Sequence, residues 1–286
     1  MKKAYVTLIN SESYLKGLFV LYESLAKTKT DIPLVVFLPK RTPSKVKNSI
    51  LSYSKKSDNY SCKLLIKESE KDVILPQEVE DKNVSHWNGT LDKLLIFELT
   101  EYDKLVFIDS DMIVLNNVDH LFEKEHLSAN NSGQKYPNCE SWTELNSGLM
   151  VIKPKENESE KLINSIPKVM ENKSQFGDQD VINFAYPFWK ESDHLHLTEQ
   201  YNLFYYMASY YKKRFKYTIR KNKPSTLYIV HFVGNKKPWN TDEKTNVYLK
   251  DQAKNGLIQH KNFLMLSVLK RYEKLLKKVE KKLAIN

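Results

Sequence analysis

Residues 32–38, IPLVVFL, contain no polar side chain, which rules out a strand with one face in water. Such a segment needs cover on both faces, and crossover helices are the usual source of it. Upstream, residues 4–8 read as a first strand, and YLKGLFVLYESLAKTK repeats apolar residues at a helical spacing. A strand, a helix and a fully apolar strand in succession predict a parallel α/β sheet. A third strand is expected around residues 64–66 of CKLLIKE. LDKLLIFELTEY then reads as a helix leading into a strand over 104–108. Further on, LNSGLMVIKP reads as a turn entering a strand, and FGDQDVINFAY as a helix that starts at its acidic end. A last strand is expected over 226–230, running into a loop with His231, Gly234, Lys236 and Lys237. Without internal repeats or a Gly/Ser linker, the simplest division is one domain over 1–245 and a basic amphipathic helical segment over 246–286.

The chain of 286 residues carries a formal charge of +10, and where that charge lies matters more than its size. Residues 261–286 hold eight Lys or Arg against two Glu, so more than half of the excess belongs to this C-terminal segment. Only four arginines occur, the residue type best suited to phosphate and guanine forks, and nucleic acid is not an expected partner. In that segment Met265, Val268, Leu269, Tyr272, Leu275, Leu276, Val279 and Leu283 form one stripe opposite the lysines. The stripe suits packing on the chain's own domain, an anionic membrane surface or a partner helix. The first apolar stretch breaks at Asn10-Ser11-Glu12, too early for a signal peptide, and no window is long enough for a membrane span. With only Cys62 and Cys139 as cysteines, the expectation is a cytoplasmic protein.

Within YDKLVFIDSDMIVL, Asp109 and Asp111 stand one residue apart where an apolar run ends and another begins. Two carboxylates there repel each other and resist burial unless a cation binds between them. Their place, at the carboxyl end of a strand, is where open α/β sheets bind ligands. Hard oxygen ligands suit Mg²⁺ or Mn²⁺, and an imidazole from His231 shifts the preference toward Mn²⁺.

Five blocks in order, AYVTLINSESYLKG, YDKLVFIDSDMIVL, LNSGLMVIKP, GDQDVINF and HFVGNKKPW, resemble the glycogenin-like glycosyltransferases, a retaining family that includes galactinol synthases. The resemblance runs from about residue 4 to Trp239. It implies a GT-A fold: a Rossmann-like, doubly wound mixed α/β sheet with flanking helices, here with a C-terminal helical extension. It also implies transfer of a hexose, glucose first and galactose second, from UDP-glucose or UDP-galactose with Mn²⁺, Mg²⁺ being the alternative metal. Asp109, Asp111 and His231 match the metal ligands, with Ser110 between the pair counted among the donor-binding residues. Lys237 matches the lysine on the diphosphate, Gly234 the position where backbone approaches it, and Lys236 is a secondary candidate. Thr7, Leu8, Asn10 and Tyr14 match the uridine-binding segment, with the Tyr14 ring able to stack on uracil. Asn146 and Ser147 match residues that read sugar hydroxyls. Lys93, Asp178 and Gln179 match the catalytic group near the anomeric carbon.

The chain also departs from the pattern. Ile9-Asn10-Ser11 stands where glycogenins read Thr-Thr-Asn, no arginine is found in NVSHWNGT, and Gln175 replaces a second carboxylate for which Asp180 is the nearest substitute. Retention could use Asp178 as nucleophile or front-face attack, and Gln179 beside it favours the latter. The acceptor could be a glycan, a polyol or a protein, including the chain's own tyrosines such as Tyr201, Tyr205, Tyr206, Tyr210 and Tyr211, and a homodimer is compatible with this reading. Two other readings fit parts of the pattern. A dehalogenase-like phosphatase also uses Asp-x-Asp, but near the N-terminus and with Thr or Val two residues on, unlike Met112-Ile113 here. The other is a non-catalytic nucleotide-sugar or glycan binding protein tethered by its basic tail.

Overall fold

The structure is a computed structural model that describes residues 1–73, 88–131, 133–220, 226–240 and 242–284. Its centre is a six-stranded mixed sheet in the order β3-β2-β1-β4-β7-β6. Here β1 is Lys3–Leu8, β2 Leu34–Leu38, β3 Leu64–Glu68, β4 Lys104–Ile108, β6 Ala129–Asn131 and β7 Leu145–Ile152. The first four run parallel, while β7 is antiparallel to β4 and β6 to β7. All five residues of β2 are buried, as an uninterrupted apolar strand requires. Alternate residues feed opposite faces: Tyr5, Val106 and Ile108 join one core, and Ala4, Val6, Leu105 and Phe107 the other.

A second, three-stranded sheet has the order β5-β9-β8, with β5 at Met112–Val114, β8 at Leu203–Phe204 and β9 at Ile229–His231. This sheet was not expected, because its strands are too short to show a period in sequence. It corrects one assignment: the strand expected over 226–230 starts at Ile229 and includes His231, which pairs with Met112. LDKLLIF also differs from expectation, forming a 3₁₀ stretch over Asn88–Glu98 instead of an α-helix.

Helices α1 (Leu15–Ala26) and α2 (Ser44–Lys55) flank the sheet, followed by α3 (Glu158–Ile163), α4 (Ile166–Asn172), α5 (Asp178–Ala185) and α6 (Ala208–Phe215). Two long helices close the described chain, α7 (Glu243–His260) and α8 (Leu264–Ala284), separated by a left-handed Lys261 at φ 51°. Helix α1 is buried nearly all round, because the sheet covers one side and α8 the other. In α8 the residues Met265, Val268, Leu269, Tyr272, Leu275 and Val279 lie in the main core, while Leu283 is exposed. The packing brings Lys278 and Lys282 onto Glu23 of α1, whose side chain has no exposed surface, at 2.8 and 2.7 Å. Among the described residues no helix is long and apolar enough to cross a membrane.

Candidate active site

Three residues carry the chain from the large sheet to the small one, and two of them are the acidic pair. Asp109 follows β4 and is tied to the large sheet by its N–H, which donates to the Gly148 carbonyl at 2.9 Å. Asp111 precedes β5 and is tied to the small sheet, its carbonyl accepting from Phe232 N at 3.0 Å. At the end of β9, His231 turns Nε2 toward Asp111 Oδ1 at 3.0 Å and Asp109 Oδ2 at 3.9 Å. One ligand atom from each of the three residues lies within 4.8 Å of the others. On the far side of the ring, Nδ1 donates to Asn202 Oδ1 at 2.9 Å, which leaves the lone pair on Nε2. A lone pair facing carboxylate oxygens calls for a cation or a proton between them. The donor set, two carboxylates and an imidazole with its outer nitrogen held by an amide, therefore fits a divalent metal of the Mn²⁺ type.

Two buried lysines balance the acids. Lys237 pairs with Asp111 Oδ2 and donates to the Phe232 carbonyl at 2.9 Å. Burial pushes the Asp111 carboxyl upward, but a His231 ring that also carries a proton on Nε2, together with Lys237, outweighs it and holds this group well below the usual carboxylate range. Asp109 moves the other way: burial raises it, and Lys93 offsets only part of the rise. Lys93 lies 2.7 Å from Asp178 Oδ2 and 3.3 Å from Asp109 Oδ1. Burial lowers the pKa of its ammonium, yet the two carboxylates more than compensate and keep it charged. Its Nζ also reaches the Ser147 carbonyl at 3.3 Å and lies 4.5 Å from the centre of the Phe107 ring.

A chain of amides extends from the metal-type triad. Asn202 Nδ2 donates to Asn146 Oδ1 at 2.7 Å, and Asn146 Nδ2 donates to Gln179 Oε1 at 2.9 Å. The same Gln179 oxygen accepts from Ser147 N at 3.3 Å. Asp178 and Gln179 begin α5, and Asp178 N donates to Thr90 Oγ1 at 3.3 Å. Thus Asp109, Asp111, His231, Lys237, Lys93, Asp178, Gln179, Asn146 and Ser147 form one connected group. Asn202 completes it, although no spacing in the chain marks that residue: its partners lie 29 and 56 positions away. Gly148 is the tight point, since a Cβ there would stand 2.8 Å from His231 Cε1 and 3.0 Å from Asn146 Oδ1.

The residues expected to hold uridine are less uniformly arranged. Tyr14 is 38% exposed, and its ring meets Trp239 edge-on at 5.5 Å and lies 6.0 Å from Lys237 Nζ. Thr7 is fully buried with a hydroxyl that finds no partner among the described residues, and Leu8 is half-buried. The Asn10 amide is already engaged, donating to the Gly89 carbonyl at 2.8 Å. Ser110 is buried, its carbonyl close to Gly17 of α1. Gly234 adopts φ +85°, a left-handed conformation that glycine reaches without strain, and Lys236 is exposed. Asp180 is corrected as a substitute carboxylate: one oxygen accepts from Gly177 N at 2.9 Å and the other pairs with Lys173 at 2.5 Å, so it caps α5. Tyr201, Tyr205, Tyr206, Tyr210 and Tyr211 all pack into or against the main core, with Tyr205 and Tyr211 buried.

Comparison with known proteins agrees with this geometry. The profile described as glycosyl transferase family 8 matches residues 5–243. Human glycogenin-1 is 31% identical over 277 residues, covering 92% of this chain and 70% of that protein. Inositol phosphorylceramide glucuronosyltransferase 1 of Arabidopsis thaliana is 31% identical over 191 residues, 65% of this chain but only 30% of its own length. Among solved structures, the glycosyltransferase GlyE of Streptococcus pneumoniae TIGR4 superposes with a TM-score of 0.57 at 20% identity, over 88% of this chain and 61% of that one. The mixed sheet with its flanking helices is the GT-A architecture.

Proposed function

Since the chain belongs to glycosyl transferase family 8, we propose that it is a retaining hexosyltransferase that moves a neutral hexose, glucose before galactose, from a UDP-sugar to an acceptor hydroxyl with Mn²⁺. The convergence of Asp109, Asp111 and His231 within 4.8 Å, flanked by buried Lys93 and Lys237, carries this reading. A divalent metal bound there supplies Lewis acidity toward the departing diphosphate. The remaining work falls to the chain's own groups. Asn202 holds the His231 ring so that Nε2 faces the two carboxylates. Lys237, at the mouth of the glycine-containing loop, adds positive charge for the diphosphate once Asp111 has another cation to neutralise it.

On the sugar side, Lys93 binds Asp178 and Asp109 together and so fixes the acid that begins α5 beside the site. An aspartate neutralised this way is a weak nucleophile, which favours the front-face route. In that route the bond from C1 to the diphosphate oxygen breaks while the acceptor oxygen bonds C1 on the same face, and the acceptor proton passes to the departing diphosphate. Gln179 has its carbonyl committed to Asn146 and Ser147, which orients its amide nitrogen and supports a role in reading hydroxyls. The lysine on the sugar side, Lys93, is already shared by Asp178 and Asp109, and this favours a neutral hexose over the uronic acid in the name of the plant relative.

The test is UDP release from UDP-glucose, UDP-galactose and UDP-glucuronate with Mn²⁺, with Mg²⁺ or with EDTA, in the presence of glycan and polyol acceptors. Metal-dependent release, fastest from a neutral hexose and abolished in Asp109→Asn and Asp111→Asn, is the expected result. Undiminished release by both variants, or in EDTA, would overturn the metal assignment. Intact mass of the same protein shows whether the chain is itself an acceptor.

A further inference from the structure

Away from the active site, a cavity of about 520 Å³ opens between the end of α1, strand β5 and helix α8. This is within the range of small-molecule sites, roughly 300–1,000 Å³. Lys27 from the end of α1 and Arg271 and Lys274 from α8 line it, and no carboxylate does so among the described residues. Ile113, Val114 and Leu275 supply an apolar wall, and Asn116 and Asn117 add polar groups. The adjoining hollow shares Lys27 and Lys274 and adds Lys270, Lys277, Lys278 and Lys281 against a single acid, Glu273. Two helices thus bring together cations that repel one another. Partial desolvation lowers the pKa of the Lys27 ammonium first, and Lys278, Lys274 and Arg271 lower it further, with Glu23 only partly opposing them. An anion relieves that repulsion. Arginine and two lysines across a shared hollow suit oxygens carrying more than one negative charge, and the apolar wall suits an organic group attached to them.

We propose that this cavity is a second ligand site, separate from the donor site, that binds a phosphate ester through Lys27, Arg271 and Lys274. The phosphate belongs either to a free small molecule or to the headgroup of an anionic lipid. The ligand would lie against Ile113 and Val114, in the strand that directly follows Asp111.

The experiment is calorimetric titration of the full chain with pyrophosphate and with glucose 1-phosphate, in EDTA so that metal-dependent binding at the donor site is absent. It compares the wild type with the triple variant Lys27→Gln, Arg271→Gln, Lys274→Gln and with Lys27→Arg, Lys274→Arg, which keeps the charge. All replaced side chains are exposed, so melting temperature and UDP binding in Mn²⁺ should remain those of the wild type. Loss of three charge-assisted contacts should weaken phosphate binding at least about tenfold in the triple variant, with wild-type binding in the arginine variant. Co-sedimentation with vesicles of phosphatidylcholine containing phosphatidylinositol 4-phosphate distinguishes the sources. Vesicle binding that the triple variant lacks, with glucose 1-phosphate unbound in the titration, identifies the lipid headgroup, while glucose 1-phosphate binding with no binding to vesicles identifies a free ester. Failure of the wild type to bind any of these probes overturns the proposal, as does binding that the triple variant retains.

Discussion

Replacing Glu23 by Gln tests how the last helix is held to the domain. Glu23 lies on α1 with no exposed side-chain surface, and it accepts from Tyr53 at 2.9 Å and Tyr60 at 2.6 Å besides pairing with Lys278 and Lys282. Burial alone would raise its carboxyl, but the lysines and Tyr60 bring it down to about 2 from the ordinary 4.5. That displacement of about 2.5 pH units, at ~1.36 kcal/mol each, corresponds to about 3 kcal/mol of folding free energy. Because the folded-state pKa is depressed, this stability is fully present above about pH 4.5 and is lost as pH falls toward about 2. Urea unfolding of wild type and Glu23→Gln at a series of pH values reads the difference directly. At pH 7 the variant should be less stable by about 3 kcal/mol, within the usual cost of breaking a buried pair. The gap should close below pH 4.5 and vanish near pH 2. A gap that stayed constant over this range, or one below about 1 kcal/mol at pH 7, would refute the idea that ionised Glu23 anchors α8.

Other outcomes concern the active site. Asn202→Ala removes the acceptor that fixes the His231 tautomer and should lower Mn²⁺ affinity about 10- to 100-fold, measured by calorimetry without donor. Gly148→Ala places a methyl 2.8 Å from His231 Cε1 and 2.9 Å from Met112 Cε, so the same titration should show at least about tenfold weaker Mn²⁺ binding. Lys93→Met leaves Asp109 and Asp178 facing each other without their shared cation. The unfolding midpoint should fall in EDTA and recover in part when Mn²⁺ is added, and a midpoint equal to wild type would contradict the proposed role of Lys93.

The parts of the structure that showed in the sequence were those encoded by neighbouring residues. IPLVVFL announced a strand covered on both faces because every side chain in it is apolar. Asp109 and Asp111 stood out because two acids at a strand end are costly unless something positive joins them. Other features depend on chain folding alone. Asn202 sits in EQYNLFYY, where no spacing marks it, and only the return of β9 brings His231 against it. Glu23 reads as an ordinary polar position on a helix until α8, more than 250 residues later, covers it with lysines. Asp180 looked like a spare acid beside Asp178, but local geometry turns it back onto Gly177 as a cap. The small sheet was invisible because strands of two and three residues lack a readable alternation.

Asp109 is fastened to the large sheet, whereas Asp111 and His231 are fastened to the small one. The ligand triad therefore straddles a seam, and its bite changes with any relative displacement of the two sheets. An ion held there would act as a rivet, resisting shear across the seam and loosened by whatever pries the sheets apart. On the proposed function, metal affinity would then be a gauge of distant packing, and substitutions buried behind β5 or β9 should register first as a change in how tightly the ion is gripped.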